Sequence, residues 1–257
     1  DDAQIVPLAR LLRYFRDPAA DLLRDRLKLR LDALDDDQSA QREPLTAQPD
    51  PLARLPQRLL TTLLVRGEFA APAQAPDWLR LSGQLPAGAL GRQAYRAMAD
   101  QVDALLHVAS DDPDLAHGLP PRAPVAIDLM LGACRVQGTV ARVHADASGW
   151  LLFHAFPGKA LADLDFRQRL PLFIEWALLR LAHPEQPLRV CLLTTPKKDK
   201  TPRWDTVLNA VDPVARGDDL ERRLLRLIAL WQSAEQHPLA YLPKTAWAIT
   251  GSVRVTA

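Results

Sequence analysis

Four short segments between positions 124 and 194 are rich in apolar residues, and in the first of them apolar residues alternate with others, which is the spacing of a β-strand. The predicted strands are Val125 to Leu131, Arg135 to His144 with an interruption at Gly138, Trp150 to Phe156, and Leu188 to Thr194. Between the third and fourth strands, apolar residues recur every three or four positions, which predicts a long helix. The predicted order is therefore strand, strand, strand, helix, strand.

The first 117 residues carry helical patterns instead. A leucine stripe with Phe15 predicts a first helix, and Asp17 followed by Pro18 predicts the N-cap and first position of a second. Further helices are predicted at 52–65, 92–106 and 218–236. We expect an α/β (α+β) protein with a mixed central sheet, in which residues 1–117 form a helical leader region and 118–257 the core, or the two form one compact unit.

The amino-acid composition excludes few functional classes of protein. The 32 Lys and Arg residues nearly balance 31 Asp and Glu, so any contact with nucleic acid must come from a local patch. Cys134 and Cys191 lie among apolar neighbours and are predicted to be core residues in a reducing compartment. No apolar run has membrane-spanning length, and a cytoplasmic protein is expected. An opening without methionine predicts a segment of a longer protein.

The order of predicted elements resembles the core of the PD-(D/E)XK nucleases. That resemblance implies an Asp late in the second strand, and an acidic residue and a Lys one position apart in the third. The corresponding positions carry Ala141, Phe153 and Ala155, whereas Gln168 matches a glutamine that the family often has on the following helix. Because Mg²⁺ needs anionic oxygen ligands on rigid elements, we expect no catalytic residue, no bound metal and no cofactor.

An alternative is a cryptic Mg²⁺-dependent DNA nuclease whose acidic ligands have moved. Its candidate ligands are Asp128, Asp163, Asp165 and Glu175. The interpretation that these are solvated or helix-capping acids is favoured.

Several further segments together are similar to the C-terminal part of the RecC family, the gamma subunits of exodeoxyribonuclease V (the RecBCD helicase–nuclease). They are the opening Leu8-Ala9-Arg10-Leu11-Leu12-Arg13-Tyr14-Phe15-Arg16-Asp17-Pro18, the Glu43-Pro44-Leu45 turn, Leu81-Ser82-Gly83-Gln84-Leu85-Pro86-Ala87-Gly88-Ala89-Leu90-Gly91 and Leu239-Ala240-Tyr241-Leu242-Pro243. The resemblance implies an inactive nuclease-like domain that helps to assemble the complex and guide DNA. The implied partners are a helicase–nuclease (RecB-like) subunit, a helicase (RecD-like) subunit and DNA, in double-strand break repair by homologous recombination.

One loop has the composition of a DNA contact. It concentrates four cations and an aromatic around two prolines: Lys197, Lys198, Lys200, Arg203 and Trp204. The cations suit phosphates and the indole suits an unpaired base. An ordinary solvated connection after the fourth strand explains the same residues and is favoured.

The sequence does not contain the residue patterns of a nucleotide-binding phosphate loop or of a zinc site. Pro157-Gly158-Lys159 has neither the first glycine nor the Ser or Thr of a nucleotide-binding phosphate loop. The six histidines are not at zinc-ligand spacing.

Overall fold

A computed structural model describes residues 3–23, 27–28, 49–195, 217–234 and 241–252, with 49–54, 217–218 and 251–252 described as backbone only. The strands are β1 (Gln4–Pro7), β2 (Val125–Leu131), β3 (Cys134–Val140), β4 (Val143–Asp146), β5 (Gly149–Phe156) and β6 (Leu188–Thr194). The helices are α1 (Leu8–Arg16), α2 (Pro18–Asp21), α3 (Pro49–Val65), α4 (Asp77–Arg80), α5 (Gly88–Ser110), α6 (Phe166–Ala182), α7 (Gly217–Ser233) and α8 (Pro243–Ser252), with a 3₁₀ turn at Leu161–Asp163. The α+β class is confirmed.

The strands form two small mixed sheets rather than the one central sheet that the pattern predicted. Sheet A has the order β1-β3-β2, with β1 parallel and β2 antiparallel to β3. Sheet B has the order β4-β5-β6, with β4 antiparallel and β6 parallel to β5. The chain passes from sheet A to sheet B between β3 and β4.

The prediction of one second strand interrupted at Gly138 is wrong, because Gly138 lies inside β3 and the break comes after Val140. Val125 pairs with Val140, and Arg122 bridges to His144. The two pairs are three positions apart on one side and four positions apart on the other. The extra residue is a β-bulge. The segment opposite contains Pro120, Pro121 and Pro124, which have no N–H to donate and so cannot continue a regular ladder.

Gly138 allows α1 to pack closely against β3. A Cβ built on Gly138 would lie 2.6 Å from the Cβ of Leu8. The helix that follows β1 therefore packs directly on β3, with Leu8, Leu11 and Phe15 buried as the leucine stripe predicted. Asp17 caps α2 by accepting a hydrogen bond from the backbone N–H of Ala20, with Pro18 at the first helical position, which confirms that prediction.

Two apolar clusters fill the interior. One contains the buried residues of α1, α6 and α7 together with those of sheet A. The other contains residues of α3 and α5, including the four predicted on the inward face of α5 (Tyr95, Met98, Val102 and Leu105), packed on β5 and β6. Cys134 and Cys191 are both buried, one in each cluster, as expected of core residues. In the described part of the chain, no helix is both long and apolar enough to cross a bilayer.

Replacing Gly138 with alanine is expected to destabilise the fold by about 1–3 kcal/mol, because the new methyl group overlaps Leu8 and must push α1 away from β3. Chemical denaturation measures the change. The control is Thr139→Ala on the exposed position next in β3, which should change stability by less than about 0.5 kcal/mol. Equal stability of the two variants would contradict the close contact.

Candidate nucleic-acid interface

The predicted acid and lysine positions of the third strand are part of the apolar core. β5 is the central strand of sheet B, and both of its faces are covered. Phe153 and Ala155 are 5% and 2% exposed and lie in the cluster of α3 and α5. Their side chains contribute packing to that cluster, which explains why apolar residues suit these two positions.

Ala141 lies at the β-bulge and is exposed, and its neighbour Arg142 connects it to β5. The carbonyl oxygen of Arg142 accepts a hydrogen bond from the N–H of Phe153 at 3.1 Å. Gln168 is in the first turn of α6, where its side-chain oxygen accepts from the N–H of Asp165 at 3.1 Å. The structure thus brings Ala141 and Phe153 close together and gives Gln168 a capping role.

A chain of three polar side chains crosses from the bulge to α6. The guanidinium of Arg142 lies 2.9 Å, through Nη1, from Nδ1 of His154 on β5. Nε2 of His154 lies 3.0 Å from a carboxylate oxygen of Glu175 on α6. An arginine can only donate, so Nδ1 of His154 accepts and the proton of the neutral ring is on Nε2, the nitrogen nearest Glu175.

Burial and the neighbouring groups determine the protonation of His154 and Glu175. His154 is 2% exposed, and desolvation, assisted by Arg142 and Arg16, lowers the pKa of its imidazole. Desolvation alone would raise the pKa of Glu175, but the close contact with His154 and the nearby guanidinium groups lower it. The imidazole is therefore neutral and the carboxylate ionised, so that His154 links a cation to an anion.

The sequence pattern did not predict this arrangement, although its signal was present. His154 interrupts an apolar strand and Glu175 an otherwise apolar face of a helix. A buried polar group without a partner is costly, so two such groups on adjacent elements are expected to meet. From the sequence, Glu175 is either a displaced metal ligand or, as favoured, a solvated or helix-capping acid, and neither prediction places it beside a histidine.

Two adjoining cavities open on either side of Arg142. The α3 cavity, of about 660 Å³, lies between α3 and the strands β4 and β5. The α6 cavity, of about 410 Å³, lies between the end of β5 and the first turns of α6, and it is lined by Ala155 and Gln168 among others. Gln57 and Arg142 line both cavities, so we treat them as one feature, the basic groove.

The basic groove is positively charged. Among the described residues, its lining contains a single carboxylate, that of Asp17, against seven cationic side chains: Arg16, Arg58, Arg66, Arg122, Arg142, Lys159 and Arg167. Asp17 lies 3.6 Å from Arg167, which offsets one of these charges. Arg58 also stacks over Trp78, with 4.4 Å from its guanidinium carbon to the ring centre. Such a lining attracts anions and repels metal cations.

The acids considered as displaced metal ligands each have a structural partner within the protein. Asp128 pairs with Arg135 on the exposed face of sheet A, where hydrogen bonds from Arg135 lower its pKa. Asp165 caps α6, and Asp163 accepts from the N–H of Ala160. Within the described ranges, no three His, Cys, Asp or Glu side chains are grouped so that they could hold a metal ion.

The loop predicted to contact DNA, with Lys197, Lys198, Lys200, Arg203 and Trp204, lies outside the described residues. The chain enters it from Thr195, whose hydroxyl accepts a hydrogen bond from the N–H of Gly158 at 2.8 Å. Its role stays a prediction from the sequence.

The buried pair predicts an acid-sensitive stability. Below about pH 6.5 the unfolded chain protonates its histidines, whereas folded His154 resists protonation, so stability falls as the pH drops from 7 to 5. Glu175, with a folded pKa below its usual value, stabilises the fold above pH 4.5 and loses this effect as the pH falls further. The His154→Gln variant should lose up to about 1.4 kcal/mol per pH unit of that slope, the amount for one proton.

Denaturation midpoints at several pH values measure this slope. The pH dependence of stability that remains in the His154→Gln variant comes from buried His144, whose pKa is also lowered by desolvation. His107→Gln, on the exposed face of α5, is the matched control and should behave like the wild type. A wild-type slope in His154→Gln would show that this histidine titrates normally in the folded protein.

Motifs that are far apart in the sequence lie together in the fold. Tyr241 of the late motif packs against the opening motif, with ring centres 5.5 Å from Phe15 and 6.2 Å from Tyr14. A search of curated proteins gives no match. The family model for the RecC C-terminal domain matches residues 3–254. Because this match spans nearly the whole sequence, the chain belongs to the RecC C-terminal domain family.

Proposed function

We propose that the chain is a non-catalytic, DNA-guiding and assembly domain in the gamma subunit of an ATP-dependent exodeoxyribonuclease V complex, acting in double-strand break repair by homologous recombination. Its family membership supports the gamma-subunit role. The guiding role goes further and needs a surface that DNA can contact.

The observation that carries this proposal is the charge of the basic groove. The overall charge is only +1, yet seven cationic side chains line two adjoining cavities beside the predicted degenerate nuclease positions. Phosphate contacts from Lys and Arg position DNA without reading its sequence and without cutting it. Guiding a strand requires no more than such contacts.

The proposed partners follow from membership of the RecC family. The sequence has no complete nucleotide-binding phosphate loop, so ATP-driven unwinding is assigned to other subunits. A helicase–nuclease (RecB-like) subunit and a helicase (RecD-like) subunit would supply unwinding and strand cleavage. Assembly with these subunits rests on the family alone.

The purified chain, supplied with Mg²⁺ or Mn²⁺, is expected to leave linear DNA uncut. The assay compares wild type with Asp128→Asn and Asp163→Asn, which remove two of the candidate ligands of the alternative nuclease. Metal-dependent cutting that either substitution abolishes would replace the proposed function with that alternative.

DNA binding by the chain is expected to weaken as salt rises, because cations on the protein displace counterions from phosphates. Removing Lys197, Lys198, Lys200 and Arg203 together tests the predicted loop. If all four contact a single strand, the slope of log affinity against log salt should fall by roughly 3, at about 0.7 per contact. A slope equal to that of wild type would remove this loop from the DNA path.

A further inference from the structure

We propose that the basic groove binds the phosphodiester backbone of DNA directly and without a metal ion, with Arg142 as the central phosphate ligand. This inference rests on the proposed DNA-guiding function and assigns it to particular residues. In a metal-dependent nuclease, carboxylates hold a cation that in turn binds the phosphate. Here a fixed guanidinium would bind the phosphate itself.

The position of Arg142 is the first argument. The β-bulge places it immediately after Ala141, the predicted acid position, on the wall that the two cavities share. A strand that lies along the groove must therefore pass this guanidinium. Arg66 and Arg122 line the α3 cavity on one side of it, and Lys159 lines the α6 cavity on the other.

The way in which Arg142 is held is the second argument. Its Nη1 donates to Nδ1 of His154, and ionised Glu175 stands behind the imidazole. One of the five guanidinium N–H groups is thereby used, and this hydrogen bond restricts the orientations that the planar group can adopt. A guanidinium that is oriented before binding loses less entropy when it pairs with a phosphate.

The third argument is that the groove suits a phosphate better than it suits a metal. Its lining in the described ranges has one carboxylate, Asp17, which is near Arg167 and also caps α2. Mg²⁺ binding requires anionic oxygens on the protein or the ligand, whereas arginine binds phosphate oxygens without them. Binding of DNA should therefore persist when all divalent metal is removed.

The test is fluorescence anisotropy with the 257-residue chain and labelled DNA in EDTA, at constant ionic strength. The experiment is run separately with a single-stranded oligonucleotide and with a duplex of the same sequence. The comparison shows whether the groove binds single-stranded DNA, double-stranded DNA or both. The main variant is Arg66→Gln/Arg122→Gln, since both side chains are exposed and their loss should leave the fold intact. Arg92→Gln/Arg96→Gln, two exposed arginines on α5 outside the groove, is the matched control.

We expect the Arg66/Arg122 variant to bind about tenfold more weakly and its salt slope to fall by roughly 1.4 for a single strand or 1.8 for a duplex. Arg142→Gln should weaken binding at least as much, and its circular dichroism and denaturation midpoint report separately on folding. The control pair should keep the wild-type slope. EDTA should leave the wild-type affinity unchanged.

Wild-type binding that requires Mg²⁺ or Ca²⁺ would overturn the metal-free site. If wild type binds and the groove variants bind equally well, this inference fails while the guiding function can still reside in the loop at 197–204. If wild type binds neither form of DNA, the proposed DNA-guiding function fails together with the inference.

Discussion

Three prolines in the segment before β2 set a limit on how far a regular ladder can extend along β3, and much of the structure depends on that limit. Pairing resumes beyond it with one extra residue, as Ala123 donates to Val143 and Ala145 to the carbonyl of Pro121. A bulge of this kind bends the strand and increases its twist, and bulges are common beside functional sites. The strand leaves sheet A here and joins β5, and Arg142 takes its place at the wall of the groove.

The electrostatics of the site follow from a second constraint, the cost of burying charge. Glu175 is ionised inside the protein only because His154 and two guanidinium groups compensate it. A buried pair of this type adds little net stability but becomes expensive when one member is removed. Its contribution is the orientation of Arg142, which lines both cavities of the groove. The negative charge of the site is thus enclosed, and the positive charge faces the DNA path that we propose.

The local sequence pattern was sufficient to predict several elements. Val125–Leu131 and Leu188–Thr194 have the predicted bounds, and the inward face of α5 has the predicted residues. The division into two sheets was not predictable, because it depends on which strand each half of β3–β4 pairs with. The groove was hidden for a similar reason. Its cations come from distant parts of the sequence, while acids that balance the net charge pair elsewhere, as Asp146 does with Arg189.

The parallel pairing of β1 with β3 joins residues that are about 130 positions apart, since Gln4 lies beside Cys134 and Pro7 beside Gln137. A shortened version beginning at α3 would leave that side of β3 with unsatisfied N–H and C=O groups and would uncover the apolar residues beneath α1. Open strand edges of this kind recruit other chains and lead to aggregation. Fragments prepared for crystallisation or for reconstitution should accordingly retain the first helix together with the strand before it.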